Sequence, residues 1–357
     1  MTTYLLAGGG TAGHVNPLLA VADRIRDTEP DATVLVLGTS EGLEARLVPA
    51  RGYELIIMPR VPFPRRPNRA ALHFLSRFGA AVRQVNDVIR QRQVDVIVGF
   101  GGYVSTPAYL AARRAGVPIV IHEANAKPGL ANKLGARLTR YVGVAFAGTM
   151  IRHAQFVGMP LRTEIEQLDR EATRTEAIAF FSLVPDRPIL MVTGGSLGAR
   201  RLNATMVASA KALVAAGWQV LHITGLTSEV VDPNLPQYHL VAYCDRMDLA
   251  LAAADFAVTR AGAATVSELC ALGIPAVYVP YPVGNGEQRF NAVPVSEAGG
   301  GVIVDDEDFV PDYVQNELVP LLGDQLRLTS MAQAATSAGA RDGTGRMLTL
   351  VHSALVS

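Results

Sequence analysis

Excess charge of either sign is missing from this chain. Its 32 basic and 32 acidic side chains cancel to a net charge of zero, and no global excess argues for nucleic acid as a partner. Cysteine is scarce. Cys244 and Cys270 form no C-x-x-C pair and no disulfide framework, which suits a reducing compartment. No uninterrupted apolar run reaches the roughly 20 residues needed to span a bilayer, so any membrane contact is expected to be peripheral. The first apolar strand starts almost at Met1, so no signal peptide is expected. Neither half follows its glycine loop with Gly-Lys-Ser/Thr, which excludes a Walker A phosphate loop. What the chain does have is 357 residues, 49% of them hydrophobic. That is enough for about two domains with cores of their own.

Short apolar runs alternate with helical patterns. "TVLVLG" (33–38), "VDVIVGFGG" (94–102), "VPIVIHE" (117–123) and "RYVGVAF" (140–146) read as buried strands. Strands that are apolar on both faces, separated by helices, predict a parallel sheet covered on both sides. A second series opens near residue 188 with "PILMVTGGSLGARRLNATMV". It continues through "WQVLHITG" (218–225), "YHLVAYC" (238–244), "DFAVTR" (255–260) and "PAVYVPY" (275–281). Between the series, "VGMPLRTEIEQLDREATRTEA" is polar and helix-prone and reads as a linker. The fold class is therefore α/β, with two Rossmann-like, doubly wound parallel-sheet domains facing each other across a cleft. Ligands of such sheets bind outside the carboxyl ends of the strands.

The first glycine loop, "LLAGGGTAGHVNPLLAVADRI" (5–25), tests the obvious reading. Gly8, Gly10 and Gly13 fit the dinucleotide fingerprint G-x-G-x-x-G. A dinucleotide fold also needs an acid at the end of the second strand to hold the ribose hydroxyls. That strand ends Leu37-Gly38-Thr39-Ser40, and Glu41 comes too late. The nicotinamide reading therefore lacks its confirming residue. The loop still brings backbone close to a ligand, at a helix start with positive potential, and His14 stands at that start.

In the second half, "TRAGAATVSELCALGIPAVYVPYPVGNGEQRFNA" (259–292) is the most informative stretch. A strand ends at Arg260, small residues follow, and a helix is expected from near Thr265 with Glu268 on its first turn. Pyrophosphate suits that helix start. Glu268 suits the vicinal hydroxyls of a sugar, or else merely complements the helix dipole. The loop to 291 adds Asn285, Glu287, Gln288 and Asn291 past a strand end, a usual ligand position in this architecture.

Together "GGGTAGHVNPLLAVA", "GFGGYVSTPAYLAA", "HEANAKPGLANK", "VGMPLR", "TGGSLGARRLN" and "TRAGAATVSEL…GEQRFNA" resemble the peptidoglycan N-acetylglucosaminyltransferases of glycosyltransferase family 28, which have the GT-B fold. The match runs over nearly the whole chain in order and spacing. The resemblance implies transfer of N-acetylglucosamine from UDP-GlcNAc to the C4 hydroxyl of the muramoyl sugar of lipid I, with inversion, giving lipid II and UDP. It implies an acceptor- and membrane-facing domain over 1–160, a donor domain over 161–341, and a final helix, 342–357, crossing back onto the first. It implies donor contacts from Glu268 on the ribose, the backbone of Cys244 on the uracil, Ser196 and Arg162 near the diphosphate or sugar, and Ala263, Ala264 and Thr265 nearby. Gln288 and Asn291 would bind the transferred sugar, and Thr11, Gly13 and Asn125 would complete the donor set. Glu287 departs from the family pattern, which has a glutamine there. Gly10, Thr11, His14, Tyr103, His122 and Asn125 would surround the acceptor. The partners implied are UDP-GlcNAc, lipid I, the inner leaflet of the cytoplasmic membrane and other cell-wall synthesis proteins, with the enzyme peripheral on the cytoplasmic face.

An inverting transfer needs a base for the attacking hydroxyl and stabilisation of departing UDP. His14 and Glu123 are both candidates for the base. Backbone N–H groups of the first glycine loop are expected near the acceptor diphosphate. His122 also reads as a strand-end residue bonded to a neighbouring loop. "DDEDF" (305–309) contains Asp306-x-Asp308, a pattern used for metals elsewhere, but these acids are expected to cap the helix that follows. No metal and no cofactor are expected. A UDP-GlcNAc 2-epimerase of the same architecture, an NAD-dependent oxidoreductase and a non-catalytic nucleotide-binding module are the rivals.

Arg60, Arg65, Arg66, Arg69 and Arg77 stand between residues 60 and 77 without an acid, interleaved with Phe63, Leu72, Phe74, Leu75 and Phe78. A helix over about 69–92 carries one apolar stripe through Leu75, Phe78, Val82, Val85 and Ile89, expected to be core. Phe63 and Phe74 fall off it and are expected to meet the inner leaflet, with the arginines on anionic headgroups.

Overall fold

The computed structural model describes residues 1–61, 69–195, 198–283 and 286–356, with only the backbone over 69–73. Two compact units result: Met1–Arg162 with Asp342–Ser357, and Thr163–Arg341.

The first unit runs β1 (Thr3–Gly8), α1 (Ala12–Thr28), β2 (Thr33–Gly38), α2 (Glu44–Ala50), β3 (Glu54–Ile57), α3 (Arg69–Arg92), β4 (Val96–Gly101), α4 (Ser105–Ala115), β5 (Ile119–Glu123), α5 (Leu130–Gly135), β6 (Tyr141–Val144) and β7 (Ala154–Phe156). The second runs α6 (Thr163–Glu166), α7 (Arg170–Phe180), β8 (Ile189–Thr193), α8 (Arg200–Ala208), α9 (Ala210–Ala215), β9 (Gln219–Ile223), β10 (Tyr238–Val241), α10 (Met247–Ala253), β11 (Phe256–Thr259), α11 (Ala263–Ala271), β12 (Ala276–Tyr278), α12 (Glu287–Glu297) and β13 (Gly301–Ile303). It closes with α13 (Pro311–Tyr313), which passes through a π-helical turn into α14 (Val319–Gly323), and with α15 (Gln325–Ala338). The last helix, α16 (Gly343–Leu355), belongs to the first unit.

The sheets are wound alike. Strand order is β3-β2-β1-β4-β5-β6-β7 in one and β10-β9-β8-β11-β12-β13 in the other, and every pairing is parallel. Order therefore reverses between β1 and β4, and again between β8 and β11, which are the crevices where such sheets take ligands. The two-residue period of a strand explains the two cores of the first unit. Tyr4 and Leu6 of β1 face α1 and α16, with Leu18, Met347 and Val351. Leu5 and Ala7 face α3 and α4, with Val85, Ile89 and Ala112.

Two expectations change here. The stretch 157–177 is not a free linker. Val157, Met159 and Leu161 are buried, and Thr344 Oγ1 donates to Leu161 O at 3.2 Å. Beyond it α7 docks on α10, because Arg170 donates to the carbonyls of Leu251, Leu272 and Ala254 and Arg174 pairs with Asp255. The stripe on α3 also starts one residue early. Phe74 stacks on Phe78 with ring centroids 5.4 Å apart and packs on the core, whereas Leu75 is 77% exposed. Phe63, Arg65 and Arg66 lie outside the described residues.

Candidate active site

At the crevice of the first unit, β1 delivers Gly9, Gly10 and Thr11, and β4 delivers Gly101 and Gly102. The β1–β4 register slips there, from Ala7↔Gly99 to Gly8↔Gly101. Gly101, which ends β4, and Gly102 after it have positive φ, and both are walled in. A Cβ on Gly101 would stand 3.1 Å from His14 Nε2, and one on Gly102 would stand 2.7 Å from Gly9 O. Side chains are thus excluded where the His14 ring and the first loop pass. His14 is half-buried at the start of α1. Its Nδ1 lies 3.1 Å from Gly9 O and 3.4 Å from Thr11 Oγ1. A carbonyl only accepts, so the bond to Gly9 requires the proton on Nδ1 and leaves Nε2 as the acceptor. Thr11 is the N-cap of α1 but makes no capping bond with its side chain.

Glu123, the other base candidate, is 2% exposed. Its Oε1 accepts from Asn125 N at 2.9 Å, and its Oε2 accepts from Gly129 N at 2.9 Å and Asn132 Nδ2 at 3.0 Å. Asn132 in turn accepts from Tyr109 Oη at 2.7 Å. The carboxylate therefore holds the loop 124–132 that presents Asn125. His122 is fully buried and its Nε2 donates to Gly158 O at 3.0 Å. Burial pushes its imidazole down to about 4, against the Gly158 bond that favours the charged form. Through that bond it supports the "VGMPLR" turn from behind. Tyr103 is 40% exposed, with the Arg60 guanidinium 5.0 Å from its ring centre.

One buried acid has no mark of its burial in the local sequence pattern. Glu44, at the start of α2, is fully buried. It accepts from Gly10 N at 2.9 Å, from Thr39 N at 2.9 Å and from Thr39 Oγ1 at 2.8 Å. The acid missing from the end of β2 is supplied one loop later, and it is turned inward. The Gly10 N–H, expected near the acceptor diphosphate, is engaged by Glu44. The only signal for this was an acid following "GTSEG", which reads equally as a first-turn helix residue.

Of the residues expected on the donor side, Ser196 lies outside the described residues. Helix α11 starts at Ala263, earlier than expected, with Gly262 as an N-cap that has no side chain to offer. Ala263, Ala264 and Thr265 form its first turn, and no acid lies in that turn. Glu268 thus sits in the second turn, half-buried, where the dipole contributes little. Gln288 Oε1 accepts from Tyr281 N at 2.9 Å. Asn291 is 1% exposed and donates to Ala261 O at 3.3 Å, so it braces the loop before α11 from behind. Cys244 is 8% exposed and lines a cavity of about 540 Å³ with Tyr243 and Phe181. Arg162 is half-buried in the first unit.

The acids of "DDEDF" do not cap a helix. Val310 is the N-cap of α13, and Asp306 pairs with Arg260 at 2.6 Å and Arg201 at 3.2 Å. Arg260 is 8% exposed and also donates to Val279 O at 3.0 Å, the extra bonding a desolvated pair needs. Among the described residues no group of three His, Cys, Asp or Glu could hold a metal.

Both units match known families. Residues 4–144 fit the glycosyltransferase family 28 N-terminal domain and 189–347 the glycosyltransferase family 28 C-terminal domain. A protein of Leifsonia xyli subsp. xyli, named UDP-N-acetylglucosamine--N-acetylmuramyl-(pentapeptide) pyrophosphoryl-undecaprenol N-acetylglucosamine transferase, is 64% identical over 99% of both chains. A protein of the same name from Streptomyces coelicolor is 49% identical over 99% of this chain and 98% of its own. The crystal structure of Acinetobacter baumannii MurG aligns with a TM-score of 0.79 at 28% identity, covering 99% of this chain and 100% of that one. A UDP-N-acetylglucosamine 2-epimerase structure from Listeria monocytogenes, at 13% identity and a TM-score of 0.68, covers 99% of this chain and 96% of its own and shares the fold alone. With family models over both units and relatives matched end to end, this chain belongs to glycosyltransferase family 28.

Proposed function

We propose that the protein transfers N-acetylglucosamine from UDP-GlcNAc to the C4 hydroxyl of the muramoyl sugar of lipid I, releasing lipid II and UDP with inversion. The observation that carries this reading is the 64% identity, over 99% of both chains, with a transferase of that name. His14 acts as the base. Its Nδ1–H is engaged by Gly9 O, so Nε2 takes the proton as O4 attacks the anomeric carbon and the bond from that carbon to the diphosphate oxygen breaks. Glu123, with three N–H donors on its carboxylate, holds the acceptor loop instead. The departing UDP is stabilised by the uncapped first turn of α11 and by Arg162. Glu268 takes the ribose hydroxyls, and Gln288 the transferred sugar. Tyr103 and Asn125 belong to the acceptor side.

The membrane is met by the region around α3. Among the described residues no helix is long and apolar enough to cross it. Leu75, exposed beside Arg77, takes the role first expected of Phe74, and the arginines face anionic headgroups. The test of the reaction is UDP release with UDP-GlcNAc alone and then with a lipid I analogue. UDP appearing only with acceptor is expected. Conversion of UDP-GlcNAc to its 2-epimer without acceptor would replace this reading by the epimerase.

A further inference from the structure

Glu44 is an anomaly that the reaction as described does not use. A carboxylate is fully buried, and what holds it is hydrogen bonding from backbone N–H groups and a hydroxyl. Burial alone would raise its affinity for a proton. The N–H groups of Gly10, of Thr39 and of Glu44 itself, with the Thr39 hydroxyl, outweigh that, so it is held below the ordinary glutamate value and is ionised. The chain makes room for it: a Cβ on Gly9 or on Gly42 would collide with its carboxylate oxygens. A buried charge kept in place this way costs stability unless its partners matter.

The partner that matters is one peptide unit. The Gly9–Gly10 peptide carries the N–H that donates to Glu44 Oε2 at 2.9 Å and the C=O that faces His14 Nδ1 at 3.1 Å. Both hydrogen bonds are made by the same conjugated amide. We propose that Glu44 is a positioning residue for His14, acting through the Gly9–Gly10 peptide. The carboxylate polarises this amide, and the strengthened carbonyl fixes the imidazole with its proton on Nδ1 and its lone pair on Nε2. Hydrogen bonds in series strengthen one another in this way. The device resembles a carboxylate placed directly behind a histidine, with a neutral peptide inserted between the two. The peptide keeps the negative charge away from the acceptor side of the loop. No bond is made or broken at Glu44, and no proton moves to it.

The proposal rests on His14 as the base, so its test separates the two. The protein is labelled with ¹⁵N in histidine, and the His14 signals are assigned from a His14→Gln protein. Two-bond ¹⁵N–¹H spectra at about pH 8, where an ordinary imidazole is neutral, report which nitrogen holds the proton. The wild type is expected to carry it on Nδ1. Glu44→Gln keeps an oxygen for the two Thr39 donors but turns an amide N–H₂ toward Gly10 N–H, so it is expected to give a mixture of tautomers. Its kcat should fall by about tenfold, less than for a carboxylate in direct contact with histidine, with donor KM unchanged. Should Glu44→Gln not fold, Glu44→Asp withdraws the carboxylate by one methylene and serves for the same comparison. A wild-type proton on Nε2, or an unchanged tautomer in the Glu44 variant, overturns the relay. Full kcat in His14→Gln would instead overturn the base assignment, while the spectra still decide the relay.

Discussion

At the scale of single residues, the candidate site divides into side chains with an open polar atom and side chains whose polar atoms are buried and bonded. His14 is half-buried with one nitrogen engaged, whereas Glu123, His122 and Asn291 are at most 2% exposed and bonded to backbone. His14→Ala should lower kcat by about 10²–10⁴-fold with UDP-GlcNAc affinity near wild type, read from kcat and donor Kd on one preparation. Lost donor binding with normal kcat at saturation would contradict it. Glu268→Ala should weaken UDP-GlcNAc binding by about 1–3 kcal/mol and leave the acceptor unaffected, as measured by calorimetry. With Glu268 in the second turn of α11, helix-dipole loss offers little alternative explanation for such a result. His14, Glu123 and Glu268 stand out in the sequence as candidates because their types and neighbours are informative. Their division of labour does not, because it depends on which oxygens and nitrogens are already occupied. Glu44 was invisible for the same reason: Gly10 finds its acceptor 34 residues away.

At the scale of elements, α3 shows how narrow the margin is. Residues 74 and 75 differ by about 100° around a helix, and two aromatic or aliphatic side chains in a row give the period no preference. The stack of Phe74 on Phe78 decides, since it buries the larger ring. Phe74→Ala should therefore destabilise the protein by about 1–3 kcal/mol in denaturant unfolding, below the usual cost of a fully buried phenylalanine because it is only half-buried. Leu75→Glu should leave stability within about 0.5 kcal/mol and reduce flotation with anionic vesicles. Flotation indifferent to Leu75→Glu, to reversal of Arg65 and Arg66, and to anionic lipid would remove this surface from the membrane account.

At the scale of the whole molecule, two buried histidines link stability to pH. Burial holds His122 and His222 down to about 4, one in each unit. In the unfolded chain each takes a proton near 6.5. Each therefore contributes stability that is complete above about pH 6.5 and is lost as pH falls toward 4, by as much as about 3 kcal/mol apiece. Denaturant midpoints measured between pH 7 and 4 should fall in that window, and a flat profile would show that neither histidine stays neutral.

What the sequence determined by itself was the architecture and its chemical neighbourhood. Apolar strands alternating with helices can only be covered on both faces, and each half begins with strand, glycine turn and helix, so the ligand crevices follow from local patterns alone. The tertiary structure decided which groups are spent. "VGMPLRTEIEQLDREATRTEA" reads as polar linker, yet its arginines find carbonyls of α10 and of the turn after α11. Asp306 reads as a cap, yet Arg260 and Arg201 claim it. Glu44 carries no local signal of its burial, yet a glycine loop closes around it. In each case a charged or polar group must be satisfied once buried, and the partner that satisfies it comes from a distant part of the chain, where no local pattern records it.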